Sequence, residues 1–249
     1  HSLGVWALLR QFGAPLDEQI AGLLHDVSHT TFSHVGDWVF EQHNEENAYQ
    51  DDVHESFLRE VGIGDILAAY GWDVKDVLHK NPHFVALDCK LPMMCADRIE
   101  YNIQGGYLRG LITKKEVKQI VDALHFDGEQ WYFTSAETAK IFAELPLDMT
   151  MHIWGSSENI ACNFWAARAL QTAVQEGELS LGDICYGKDA IVWEQLLASS
   201  SERVQEYMGY LQNHSQLIAR TGKHIAHTTI YAKFRGIDPL VRVGEELVP

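Results

Sequence analysis

Basic residues are scarce in this chain. Of 249 residues, 19 are Lys or Arg against 35 Asp or Glu, a formal net charge of −16. Such a balance repels polyphosphate backbones and anionic surfaces, so neither a nucleic-acid polymer nor a membrane is an expected partner. Proline is also sparse: the six leave the stretches Pro15 to Pro82, Pro92 to Pro146 and Pro146 to Pro239 free to run helical. The four cysteines, Cys89, Cys95, Cys162 and Cys185, form no CxxC pair, and there is neither an apolar run of membrane-spanning length nor a leader-like segment. A cytoplasmic protein in a reducing compartment is the expectation. A chain opening on His1 instead of methionine is expected to be cut short at that end.

Hydrophobic residues make up 46% and charged residues 22%, which excludes disorder and low-complexity classes. The length suits one large domain, or a domain with a sizeable extension. Histidine is abundant, with 13 in all, and His1, His25, His29, His34, His43 and His54 crowd the first 54 residues. An acidic chain with a local histidine cluster suggests bound cations.

Apolar spacing predicts a helix over 2–12, stopped by Gly13-Ala14-Pro15, and a second over 16–26, with Asp17 and Glu18 in its first turn and His25-Asp26 at its end. Ser33 is a candidate cap for a third helix through Val35, Trp38 and Val39. Short helices are expected at 54–62, 65–70 and 74–79, and a longer one over 91–104 ended by Gly105-Gly106. An Asp127-Gly128 turn between β-favouring residues predicts a small hairpin at 125–133. Helices follow over 135–177 and 189–220, with 182–187 as a connector and 227–234 as a candidate closing strand. The fold class is mainly α. Residues 1–115 are expected to form the core, and 116–249 a mainly helical C-terminal extension with short β elements.

The densest chemistry lies in His25-Asp26-Val-Ser-His29-Thr-Thr-Phe-Ser-His34-Val-Gly-Asp37. Adjacent His and Asp at a helix end can converge on one cation, because the departing chain redirects neighbouring side chains. An isolated pair of this kind is more often a buried histidine bonded to a carboxylate. Its combination with His1 and with Asp97, a polar break in the apolar helix around Met93, Met94, Ala96, Ile99 and Ile103, raises the weight of metal binding. A buried acid must be paired or metal-bound, so Asp97 is read either as an ion-pair partner of Arg98 or another base, or as a ligand.

Taken together, His1-Ser-Leu-Gly-Val, Leu24-His25-Asp26, His29, Phe32-Ser33-His34, His54-Glu55 and Ala96-Asp97-Arg98-Ile-Glu-Tyr101 resemble the HD-domain phosphohydrolases. The nearest branch is that of the deoxynucleoside triphosphate triphosphohydrolases. The resemblance covers about residues 1–115 and implies an HD-domain helical bundle with one divalent metal ion, whether Mn, Fe, Zn, Mg, Ni or Co, held by His1, His25, Asp26 and Asp97. It implies catalytic roles for His29, Asp37 and His54, and contacts to a small phosphorylated substrate, a nucleotide, from His34, Arg98 and Tyr101. It also implies hydrolysis by a metal-activated water and a homo-oligomer. His43 is read as a solvated bystander. Where those relatives carry Gly-His-Gly-Pro and Arg-Asp, this chain has Ser28-His29-Thr30-Thr31 and Gln104-Gly105. A nucleotide-sensing module without catalysis and a nucleotidase acting on monophosphates are the alternatives.

Overall fold

The computed structural model describes residues 1–41, 49–217 and 234–249. His43, the lysines Lys223 and Lys233 of a small basic group near the chain end, and nearly all of the expected 227–234 strand lie outside the described residues. In chain order the helices are α1 (Ser2–Gln11), α2 (Leu16–Leu24), α3 (Val35–Val39), α4 (Tyr49–Glu60), α5 (Ile63–Ala69), α6 (Ala96–Leu108) and α7 (Lys114–Ala123). They continue with α8 (Ala136–Met149), α9 (Ser157–Gln175), α10 (Leu181–Tyr186), α11 (Asp189–Leu197), α12 (Glu202–Gln212) and α13 (His214–Leu217). Four short strands, β1 (Leu124–Phe126), β2 (Trp131–Phe133), β3 (Leu240–Val243) and β4 (Glu246–Val248), form one sheet in that order. The chain is mainly α, as its periodicity predicts. Among the described residues no helix is long and apolar enough to cross a membrane.

Two compact units are assembled from separated stretches: His1–Asp26, Leu58–Ile153 and Lys233–Pro249 form the first, and Val27–Phe57 and Trp154–Ala232 the second. Neither coincides with the expected segments 1–115 and 116–249.

In the first unit α1 packs on α2 and α6, and α8 packs on α6, α7 and the sheet. Val5 and Leu9 of α1, Ala21 of α2, Ile99 of α6, Phe142 of α8 and Phe133 of β2 are all essentially inaccessible, forming the core. The hairpin expected at 125–133 is present as β1 and β2, with Leu124 opposite Phe133 and Phe126 opposite Trp131. Strand β3 adds in parallel beside β2 and turns back into β4, a pairing between segments over 100 residues apart that local pattern could not supply. Helix α6 runs through Gly105 and Gly106, where a stop was expected. A Cβ on Gly106 would sit 2.9 Å from the Leu145 side chain, so the glycines serve close approach of α8.

In the second unit α9 packs against α3, α11, α12 and α13 around Val35, Leu170, Ile184, Val204 and Met208. The expected connector at 182–187 is helix α10. Ser180 and Asp183 exchange reciprocal bonds, Ser180 N–H to the Asp183 carboxylate at 2.8 Å and Asp183 N–H to Ser180 Oγ at 3.1 Å, and this capping box outweighs Gly182. Ser33, the expected cap of α3, instead has φ of +54° and follows Phe32 at +58°. This turn, in a region that L residues adopt at a cost, is held by Thr31 N–H to Ile184 O (2.8 Å) and Phe32 N–H to Asp189 Oδ1 (2.9 Å).

Candidate metal centre

Three helix ends of the first unit build the centre. His1 caps α1, its carbonyl accepting the Gly4 and Val5 N–H groups at 2.7 and 3.1 Å. His25 is the residue that closes α2, and Asp26 follows as the chain departs. Asp97 lies in the first turn of α6, where the helix dipole favours an acid. The start of α6 is set by the 86–87 backbone: Ala96 N–H donates to Ala86 O at 2.8 Å and Asp97 N–H to Leu87 O at 3.4 Å.

These ends aim their polar atoms at one point. His1 Nε2 lies 2.8 Å from Asp97 Oδ1, 3.3 Å from His25 Nε2 and 3.6 Å from Asp26 Oδ2, while His25 Nε2 lies 3.4 Å from both Asp97 Oδ1 and Asp26 Oδ2. One donor atom each from His1, His25 and Asp97 lies within 4.8 Å of the others. Both rings are held from behind: His25 Nδ1 donates to Gly22 O at 2.8 Å, and His1 Nδ1 bonds the Glu100 carboxylate. Those partners place the ring proton on Nδ1 and direct the Nε2 lone pairs inward. Glu100 reaches His1 because residue 4 is glycine; a Cβ there would fall 2.2 Å from Glu100 Oε1.

The charges fit a cation. Burial pushes His1 down, but hydrogen bonds to Asp97 and Glu100 and the charges of Asp97 and Asp26 lift its pKa to about 10. His25 is raised against burial by Asp97 and Asp26. Burial would raise Asp97, yet the bonds from His1 and His25 hold it far below the usual carboxylate range. A positive charge is thus stabilised among these four side chains, and two imidazole nitrogens with carboxylate oxygens match a borderline to hard divalent ion. The His1, His25 and Asp97 triad can hold one such ion. Asp26 and Asp97 remain about 30% exposed, so the centre has a solvent-reachable face.

Two of the expected substrate contacts lie on α6. The Tyr101 ring centroid is 6.1 Å from that of His1, and burial raises its hydroxyl pKa, with the charge of Arg235 pulling the other way. Arg98 gives its guanidinium to the preceding loop: Nη2 donates to Cys89 O at 2.6 Å and Nη1 to Met93 O at 3.0 Å.

The remaining candidates belong to the second unit. His54 is 2% exposed, with Nδ1 2.8 Å from Ser28 Oγ, whose hydroxyl also reaches Gln50 O at 3.2 Å. His29 Nδ1 lies 3.2 Å from Ser33 Oγ, and its ring meets that of His34 edge-on at 4.9 Å. His34 Nδ1 is 3.2 Å from Asp37 Oδ2, and Asp37 Oδ1 accepts Tyr49 N–H at 2.9 Å. Burial opposes but does not overcome these bonds, which hold the Asp37 carboxyl below its usual range. His29, His34 and Asp37 therefore form one connected group, while His54 is anchored on Ser28.

Sequence reasoning gave no role to Glu100 or Gly4, and read Arg235, with Lys223 and Lys233, as a basic group on a solvated surface that could alternatively reach a ligand. Glu100 carried a readable signal: it stands three residues after Asp97, on the same face of α6.

Comparisons with known proteins point to one family. The HD domain family model matches residues 1–83, so Asp97 lies beyond the matched stretch. The uncharacterized protein YdhJ of Bacillus subtilis is 30% identical over 248 residues, covering 100% of this chain and 75% of that protein. The metal-dependent phosphohydrolase cns2 of Cordyceps militaris is 27% identical over 252 residues, covering 96% of this chain and 69% of that protein. A solved phosphohydrolase from Bacteroides thetaiotaomicron shares the fold with a TM-score of 0.60 at 16% identity. That likeness covers 86% of this chain and 64% of the other.

Proposed function

The chain belongs to the HD-domain superfamily of metal-dependent phosphohydrolases, and from that premise we propose that it hydrolyses a phosphate ester or anhydride bond of a nucleotide. The observation that carries this reading is the convergence of His1, His25 and Asp97 within 4.8 Å, with Asp26 beside them. A divalent ion held by those four residues supplies Lewis acidity toward a phosphoryl oxygen and lowers the pKa of water.

The chain's own groups do the rest. Glu100 and the Gly22 carbonyl fix the two imidazoles by their Nδ1 atoms, so Nε2 faces inward without reorganisation during turnover. Tyr101 stacks along the substrate beside His1. His54 and Asp37 move protons to and from the attacking and leaving oxygens, helped by His29. Ser28 holds His54 Nδ1, which directs proton exchange to Nε2. His34 binds a phosphate oxygen through a ring N–H. The cationic charge near the nucleotide comes from Arg235, with Arg98 engaged in shaping the 89–93 loop. Assembly into a homo-oligomer belongs to the same reading.

One observation weighs against a deoxynucleoside triphosphate read as the resembled branch reads it. Triphosphohydrolases of the resembled branch read the sugar with an aspartate at the place of Gly105, and here a Cβ at Gly105 would lie 2.9 Å from Met149 Sδ. A nucleotidase acting on monophosphates is therefore the second reading. Turnover on a panel of nucleoside mono-, di- and triphosphates, with phosphate, pyrophosphate and triphosphate quantified, separates the two. Full activity in Asp26→Ala would overturn the metal-dependent mechanism.

A further inference from the structure

Two consecutive residues of the turn that follows His29 lie in the left-handed region, Phe32 at φ of +58° and Ser33 at φ of +54°. Neither is glycine, asparagine or aspartate, the residues that adopt this conformation at least cost. Such a pair persists only where its surroundings over-determine it. Part of the hold is local. Thr30 Oγ1 donates to Ser33 O at 3.0 Å, and Ser33 N–H donates to Thr30 O at 2.9 Å. Thr30 fits because residue 36 is glycine; a Cβ there would fall 2.2 Å from Thr30 Oγ1.

The remainder comes from α10 and α11. Ile184 O accepts Thr31 N–H at 2.8 Å, and Asp189 Oδ1, 157 residues along the chain from Phe32, accepts Phe32 N–H at 2.9 Å. Trp193 stands one helical turn after Asp189, and its ring meets that of Phe32 edge-on with centroids 6.1 Å apart. One face of α11 thus grips both the backbone and the side chain of Phe32. Asp189 is exposed in the first turn of α11, where an acid favours the helix dipole without any partner. Its bond to Phe32 serves the turn and not α11.

The turn decides where two candidate groups point. Ser33 Oγ lies 3.2 Å from His29 Nδ1, and His34, the next residue, sets its ring edge-on to that of His29 at 4.9 Å. Relaxation of Phe32 and Ser33 to right-handed backbone would redirect the chain between the two histidines, and their pairing would be lost.

We propose that Asp189 is a positioning residue for the hydrolytic reaction: its carboxylate holds the Phe32–Ser33 turn in the left-handed conformation that presents His29 and His34 to the phosphoryl group. It touches no substrate and acts only through those two histidines. This assignment rests on the reading of His29 and His34 as groups that meet the substrate.

The test compares Asp189→Ala, which has no acceptor, with Asp189→Asn, which keeps an oxygen for Phe32 N–H but drops the charge. Hydrogen exchange of the full chain is followed by peptide mass analysis. Faster exchange confined to residues 30–36 is expected in Asp189→Ala, with the parent pattern in Asp189→Asn. On whichever nucleotide the parent hydrolyses, kcat/KM should fall about tenfold in Asp189→Ala, as for one charge-assisted hydrogen bond, and stay within about threefold of the parent in Asp189→Asn. In a His34→Ala background the same Asp189→Ala change should cost about twofold or less, because the two act along one route. Unchanged exchange in Asp189→Ala, equal losses in the two Asp189 variants, or a full tenfold loss on top of His34→Ala would overturn the proposal; equal losses would reduce Asp189 to a charge on the helix dipole. A parent that hydrolyses no nucleotide would fail the phosphohydrolase reading, while the exchange pattern would still decide whether Asp189 holds the turn.

Discussion

Histidine and aspartate are gathered in both compact units, but by different means. In the first, His1, His25, Asp26 and Asp97 come from three helix ends up to 96 residues apart and meet within a few ångströms, with each ring's second nitrogen tied to Gly22 or Glu100. In the second, His29 pairs with Ser33 and His34 with Asp37, contacts three or four residues apart that any helical turn permits; His54 with Ser28 is the longer-range exception. Convergence of imidazoles and carboxylates from remote segments carries a desolvation cost that their mutual attraction and a bound cation offset, whereas local exposed pairs carry little of it. The first arrangement therefore speaks for a ligand by itself, and the second only in company.

The widest test of that difference removes a converging group. Asp97→Ala deletes an oxygen that approaches the Nε2 atoms of both imidazoles and is expected to abolish stoichiometric divalent-metal binding by calorimetry. Hydrolysis should fall about a thousandfold or more, since metal charge stabilisation amounts to several kcal/mol and each 1.4 kcal/mol is tenfold. Metal binding at parental affinity would mean that the cluster is an ion-pair network only. In the second unit, His54→Ala is expected to lower kcat by about 10²–10⁴ with metal affinity unchanged, the signature of a proton-transfer group. His34→Ala, removing a half-exposed partner of Asp37, should instead raise KM more than it lowers kcat. A drop in metal affinity in His54→Ala would contradict the division of labour between the units.

A finer cut tests whether the first unit's convergence is pre-set from behind. Glu100→Gln keeps the size of the group bonded to His1 but removes its charge, and a tenfold to hundredfold weaker metal affinity is expected, about the usual cost of losing such a partner. Gly4→Ala should act in the same direction without touching a ligand, because its Cβ would displace the Glu100 carboxylate. Competition with a chelator of known affinity gives both values. Equal affinities in parent and Glu100→Gln would show that the bond to His1 Nδ1 has no part in holding the ion.

Legibility in the sequence follows the same division. The order His1, His25-Asp26, Asp97 was readable because ligand chemistry restricts residue types and because glycine, proline and an acidic first turn mark the ends of α1 and α2, whereas Asp97 was expected inside a helix over 91–104 and stands in the first turn of one that starts at Ala96. Glu100 and Gly4 were hidden, since a supporting carboxylate and a clearance are ordinary residues until the helices α1 and α6 are seen side by side. The hairpin at 124–133 was local and predictable, whereas β3 beside β2 is fixed by segments too distant for any window to join. Gly105-Gly106 misled because glycine ends helices in isolation, and only the Leu145 and Met149 side chains explain why it continues one here. The two compact units are each discontinuous in sequence, a grouping that no local pattern carries.

The smallest expected effect concerns how each unit uses a carboxylate to shape its backbone. Glu18, 2% exposed on α2, accepts the N–H groups of Ala86 and Leu87, both at 2.8 Å, and the carbonyls of those same residues receive the Ala96 and Asp97 N–H groups that start α6. Burial raises the Glu18 pKa, the two backbone bonds pulling it down less strongly. The folded chain therefore holds this proton more tightly than the unfolded one. Its contribution to stability is fully present below the unfolded pKa and fades as pH rises through the folded value. Glu178 of the second unit, bonded by the Ser199 and Ser200 hydroxyls and the Ser200 N–H, is lowered, so its contribution is present above the unfolded pKa and lost as pH falls through the folded value. Glu18→Gln retains an acceptor for both N–H groups without the buried charge. Urea unfolding from weakly acidic to neutral pH should then show a flatter profile for Glu18→Gln, with neutral-pH stability within about 1 kcal/mol of the parent, whereas Glu178→Gln should lower stability evenly across that range, the deficit closing only as pH falls below the unfolded carboxyl pKa. A profile unchanged by Glu18→Gln would mean that the buried carboxylate is already charged at no cost, and that the frame beneath Asp97 does not depend on its protonation.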